Sequence, residues 1–222
     1  MNRNDILRRE INEKTREELC SEFDRAGVFR SELGRTVLSR RIDLYRIGGG
    51  ERCVIYVGAH HALEAITENL LYAFIYDLTL GNKWRNSPDV NLDFLLRKFT
   101  FFVIPALNLD GIAIARGEGR DNILKSRQHV ICGGNFAAWQ ANARGVDLNP
   151  NYSAGFLEYK KHERQNGIYS APSKYSGEYP ESEPEVSAMA NLFRIIRPVL
   201  VVSLHTQGEE IYYSPKTPSV KR

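Results

Sequence analysis

Cysteine is scarce in this chain. The three present in 222 residues, Cys20, Cys53 and Cys132, form an odd and widely spaced set. That spacing excludes a disulfide framework, a structural zinc knuckle and a CxxC redox motif, and it predicts free thiols, with Cys53 in a buried strand. Charge of one sign is also lacking: 30 Lys+Arg against 27 Asp+Glu leave a formal +3, spread along the chain. No nucleic-acid partner is expected from so slight a balance. No apolar run approaches the ~20 residues of a membrane span, and the opening MNRNDILRREINEK has no apolar signal-peptide core. The expectation is therefore no membrane partner and a cytoplasmic location. With 42% hydrophobic and 26% charged residues, the chain has the composition of a globular protein able to bury a sizeable core.

Periodicity then divides the chain. Ile6, Leu7, Ile11, Leu19 and Phe23 recur at mostly helical intervals, which predicts a surface helix from Asp5 to about Phe29, broken near Lys14, inside a helical extension over 1–40. Residues 41–222 read as one further domain. Ile42 to Ile47 alternates, Gly48-Gly49-Gly50 supplies turn geometry, and Cys53 to Val57 is apolar, a pattern that predicts a β-hairpin. Leu63, Ile66, Leu70, Leu71, Phe74 and Ile75 give a helical stripe. Phe99 to Ile104 and Pro198 to Leu204 are continuous apolar runs of the kind found in the middle of a covered sheet. Ser182-Glu183-Pro184-Glu185 matches a capping box for a helix reaching Ile196. The stretch from Arg116 to Tyr179 shows little periodicity and reads as long loops around a site. The fold class is α/β: a mixed, mainly parallel sheet with helices on both faces.

Two constellations carry chemistry. His61 and Glu64 stand three residues apart where a buried strand gives way to a helix, so both side chains can converge on one ion. On spacing alone, a glutamate favoured by a helix N-terminus is the better reading. The second constellation shifts the balance: the run Val199 to Leu204 ends in His205, and in open α/β sheets ligands bind at the carboxyl ends of strands. A zinc hydrolase needs two or three N/O protein ligands and an open position, which His61, Glu64 and His205 would supply for one zinc ion.

Five ordered motifs, His61 to Glu64, Ala106 to Gly111, Gly145 to Asn149, Ser182 to Glu185 and Leu204 to Gly208, resemble those of zinc carboxypeptidases of the pancreatic carboxypeptidase type. The Gly-Val-Asp-Leu-Asn and His-Thr-Gln-Gly-Glu-Glu-Ile-Tyr segments look most like the γ-D-glutamyl-diamino acid peptidase branch, which trims cell-wall peptides. The resemblance implies that His61, Glu64 and His205 hold zinc, that Asn149 is a substrate-binding amide, and that a peptide is the substrate. His60 is implied to be a neighbour supporting the site, while His129 and His162 have no assigned partner. Pro150 and Gln140 stand where carboxypeptidases carry arginines that grip a terminal carboxylate. Arg144 is the candidate replacement.

The family's general-base glutamate lies on a late strand, and here only Glu209 and Glu210 follow His205. The expectation is a chain lacking its C-terminal strand or strands, with the missing strand between those carrying His61 and His205, and with impaired hydrolysis. Two alternatives stay open: a catalytically silent zinc- or peptide-binding remnant, and a zinc deacylase of the aspartoacylase type.

Overall fold

The apolar residues around Ile42, Val54 and Phe101 build the centre of a five-stranded sheet in a computed structural model that describes residues 2–81, 84, 86–118, 122–169, 172–206 and 210–212. Its strands are β1 (Phe29–Arg35), β2 (Arg41–Gly48), β3 (Arg52–Val57), β4 (Phe99–Ile104) and β5 (Leu200–Ser203), in the order β1-β2-β4-β3-β5. β2 is antiparallel to β1 and β4, and β3 is parallel to β4 and β5. One strand thus opposes the other four, giving the mixed, mainly parallel sheet expected.

Period-two alternation sorts the strand residues onto two faces. On one, Tyr45, Val54, Phe101 and Val103 pack against α1 (Arg3–Arg8), α2 (Glu13–Arg25) and α3 (Ile66–Thr79) through Ile6, Leu19, Phe23, Leu71 and Ile75. On the other, Ile42, Leu44, Ile55, Val57 and Ile104 meet Val186, Met189 and Leu192 of α8 (Pro184–Ile196). Burying each such aliphatic side chain contributes about 1.5–3 kcal/mol, so both faces are needed. Between them in sequence come α4 (Leu92–Lys98), α5 (Leu109–Arg116), α6 (Lys125–Cys132) and α7 (Phe156–Gln165). Among the described residues no helix is long and apolar enough to cross a membrane.

Several local expectations are corrected. The expected break in the N-terminal helix falls just before Lys14, where Asn12 caps a fresh start by accepting from Thr15 N, but the stretch over 1–40 is not all helical, since it contains β1. No hairpin joins β2 to β3. The Gly49 and Gly50 amides bond to the carbonyls of Leu96 and Phe99 instead, and β4 inserts between the two strands. A Cβ on Gly50 would lie 2.0 Å from the Lys98 carbonyl carbon, so the crossing requires glycine. Leu63, just before α3, and Ile66 and Leu70 within it are exposed, while Leu71, Tyr72, Ile75 and Leu78 are buried, because the N-terminal helices cover a different arc from the one expected.

The stretch from Arg116 to Tyr179 contains α6 and α7 in addition to loops. No capping box forms at α8. Ser182 Oγ donates to Glu183 Oε1, and Glu185 turns inward to accept from Val37 N. Cys53 is half-buried.

The largest correction concerns β5. It pairs directly with β3, Val54 opposite Leu200 and Val57 opposite Ser203, so no strand position lies between them. β5 is an edge of the described sheet: Val199, Leu200 and Val201 are 62%, 51% and 42% exposed. Its apolar run resembles a central strand, but one flank has no neighbour among the described residues.

Candidate metal centre

Three parallel strands end side by side, and their exits make one corner. Val57 is opposite both Ile104 and Ser203, so the segments after β3, β4 and β5 emerge at a common height. After β3 the chain turns through Ala59, a non-glycine residue in the left-handed region at φ 48. The turn is held from several sides. Ala59 N donates to Thr67 Oγ1, which donates to Glu64 O, and Asn108 N donates to Ala59 O. The Asn108 side chain caps α5 by accepting from Gly111 N and donates to the carbonyls of His60 and Gln140. Gln140 O in turn accepts from Ala62 N, so Gln140 contributes its backbone to the joint. The motifs Ala106 to Gly111 and His61 to Glu64 are thus two sides of one joint.

Within this corner His61, Glu64 and His205 come together, each offering one ligand atom within 4.8 Å of the others. His61 Nδ1 and His205 Nδ1 both approach Glu64 Oε2, at 3.2 and 2.7 Å. Behind His61, its Nε2 meets Asp147 Oδ1 at 3.2 Å. Asp147 is fixed in turn by the amides of Asn149 and Lys174. Burial works against charge on Glu64, yet the hydrogen bonds from His205 and His61 hold its carboxyl down at about 2. Asp147 is likewise held below the usual range, its burial outweighed by His61 and the two amides. His61, also opposed by burial, is pushed up to about 9 by Asp147 and Glu64. Burial, with His205 and His61 beside it, drives the neighbouring His60 down to about 3.

The donor set fits a divalent ion. Two imidazole nitrogens and one carboxylate oxygen face a common point, and the far nitrogen of each histidine has a polar neighbour to set its orientation. Asn149 reaches the same corner, its Nδ2 lying 3.3 Å from His61 Nε2 and 3.4 Å from His205 Nε2. Arg144 pairs with Glu183 at 3.6 Å. Glu210 is exposed and accepts from the Tyr212 hydroxyl, whereas Glu209 lies outside the described residues, as do Gln207 and Gly208. His162 O, in the last turn of α7, accepts from the Asn166 side chain, and the His129 ring lies tilted beside Phe136. Among the described residues, the carboxylates touching this cluster are Glu64 and Asp147. Sequence reasoning gave Asp147 no role, although it sits inside the Gly-Val-Asp-Leu-Asn motif.

A mixed α/β sheet with a His/Glu/His cluster at the carboxyl ends of adjacent parallel strands is an arrangement that could hold a metal ion. Residues 25–220 match the zinc carboxypeptidase family model, and this chain belongs to that family. It is 31% identical over 188 residues to γ-D-glutamyl-L-diamino acid endopeptidase 1 of Lysinibacillus sphaericus, an alignment covering 82% of this chain and 46% of the relative. It is 32% identical over 198 residues to the uncharacterized protein YqgT of Bacillus subtilis, covering 83% and 50%. In fold it is similar to carboxypeptidase A from Helicoverpa armigera, with a TM-score of 0.58 at 22% identity, covering 87% of this chain and 44% of that one. The chain spans about half the length of the curated relatives it matches.

Proposed function

We propose that this chain carries the metal centre of a zinc peptidase that hydrolyses peptide or γ-D-glutamyl bonds, with cell-wall peptides as the substrate class. The observation that carries the reading is the convergence of His61 Nδ1, His205 Nδ1 and Glu64 Oε2, with Asp147 behind His61. A zinc ion held by these three residues supplies Lewis acidity toward a scissile carbonyl and lowers the pKa of water. Asp147 orients His61 and raises its basicity as a ligand. Asn149, with its amide at the mouth of the cluster, is placed to hydrogen-bond a substrate carbonyl. Arg144 is the candidate partner for an acidic substrate group, which would have to displace Glu183.

The γ-D-glutamyl preference is supported by the relative from L. sphaericus, and by Pro150 and Gln140 where two carboxylate-gripping arginines are expected. A terminal carboxylate then loses charge-assisted hydrogen bonds, and simple C-terminal residues become poor substrates. The test is to compare cleavage of a γ-D-glutamyl-L-diaminopimelate peptide with release of C-terminal amino acids from unrelated peptides. Faster release of the latter would contradict the assignment.

A second reading, a zinc- or peptide-binding domain that does not turn over, is favoured by one observation. Among the described residues, no carboxylate beyond Glu64 and Asp147 touches the cluster to act as general base. Loss of positioned proton transfer costs a factor of about 10² to 10⁴. A zinc-loaded chain that binds the peptide without cleaving it selects this reading. The aspartoacylase-type deacylase has less support, because the named relatives include an endopeptidase and carboxypeptidases.

A further inference from the structure

His205 comes from the exposed edge strand, yet a line of polar groups runs behind it into the buried interior. Ser203 Oγ lies 3.2 Å from His205 Nε2 and 3.2 Å from His60 Nδ1, and the other nitrogen of His60 lies 3.0 Å from Tyr152 Oη. His60 is 3% exposed. We propose that Ser203, His60 and Tyr152 form a one-directional hydrogen-bond relay that fixes His205 as the tautomer presenting Nδ1 to the metal. It rests on the metal-centre reading above.

The direction follows from donor and acceptor capacity. A metal on His205 Nδ1 leaves the ring's proton on Nε2, which then needs an acceptor. Two groups are near that nitrogen: the Asn149 amide through its Nδ2, and Ser203 Oγ. The Nδ2 group donates only, so the hydroxyl is the acceptor. Ser203 then has one proton to give, and it faces His60 Nδ1. A neutral His60 that accepts at Nδ1 carries its proton on Nε2 and donates it to Tyr152 Oη. Ser203 and His60 each accept once and donate once, His205 opens the line as a donor and Tyr152 closes it as an acceptor.

The arrangement also separates the two histidine ligands. Asp147 can only accept from His61, so His61 is oriented by a charge, whereas His205 is oriented by a neutral hydroxyl whose own direction depends on His60. Ser203, His60 and Tyr152 are positioning residues that act through His205. In the metal-free chain His205 Nδ1 instead donates to Glu64, and Nε2 can accept from Asn149.

Zinc affinity by chelator competition, measured on the folded chain and on Ser203→Ala and Ser203→Thr, tests the relay. Ser203→Ala is expected to weaken zinc about 10–100-fold, the usual cost of removing a ligand's supporting partner, and Ser203→Thr to restore most of it. Nitrogen-15 spectra of the zinc-loaded parent should show His60 and His205 both as Nε2–H tautomers, a readout that needs no variant to fold. Parent-like zinc affinity in Ser203→Ala, or His60 as the Nδ1–H tautomer, overturns the relay and leaves the metal centre standing. A parent that binds no zinc overturns both.

Discussion

The two halves of the proposed metal centre are built to different standards. His61 and Glu64 sit in a joint tied by Asn108, Thr67, Gln140 O and Asp147, with Glu64 2% exposed. His205 lies two residues past β5, a four-residue edge of the described sheet whose Leu200 and Val201 are exposed, and it is held by the ladder to β3 and by Ser203, Glu64 and Asn149. The lesson is that position at a strand end brings a ligand to the site, while rigidity comes from what lies behind it. The first half is over-determined by backbone and side-chain bonds. The second rests on an exposed strand and a few side-chain contacts.

The comparison can be broken most severely at the well-tied half. A Cβ at Gly111 would lie 2.4 Å from Ala141 O and 2.5 Å from the Asn108 side chain. Gly111→Ala should therefore cost about 3 kcal/mol of stability by thermal or urea unfolding, and it should weaken metal binding too, because Asn108 anchors His60 O. Unchanged stability would show that the joint is looser than described.

Next comes pH. Burial, reinforced by nearby Asp110 and Glu183, pushes Glu185 up to about 7. Its folded pKa is above the ordinary carboxyl value of 4.5. The folded state therefore holds the proton more tightly, and the associated stability is full below about pH 4.5 and lost as pH rises through about 7, an effect on the order of 3 kcal/mol. Glu185→Gln should flatten that decline, and a slope identical to the parent's would remove Glu185 as its source. The smallest effect belongs to the edge. Leu200→Lys should change stability by no more than about 0.5 kcal/mol but reduce self-association seen by light scattering, since an unpaired apolar edge invites strand pairing. A large loss of stability would mean that this flank is covered in solution.

How much of this could be read from sequence differs between the same two halves. His61, Glu64 and His205 were legible because chemistry-bearing residues fell at the ends of unmistakable apolar runs, in motifs with a known order. The sheet's central strands were legible for the same reason. The pairing was not, since Gly48-Gly49-Gly50 fits a hairpin turn as well as the crossing under β4 that it makes. Apolar continuity also cannot tell a central strand from an edge, so the position of β5, directly beside β3 and at the edge of the described sheet, was not read correctly. Asp147, Asn108 and Ser203 were hidden because a supporting hydrogen bond leaves no spacing rule. Ser203 is two residues from His205 in sequence, but its link to His60 spans the distance from β5 to the β3 exit.

The most direct test of the central claim is metal analysis of the purified chain beside a His61→Ala, His205→Ala double variant. The account predicts about one zinc per parent chain and loss of the ion from the variant, because one carboxylate cannot retain it. Full zinc occupancy in the double variant, or none in the folded parent, would contradict it.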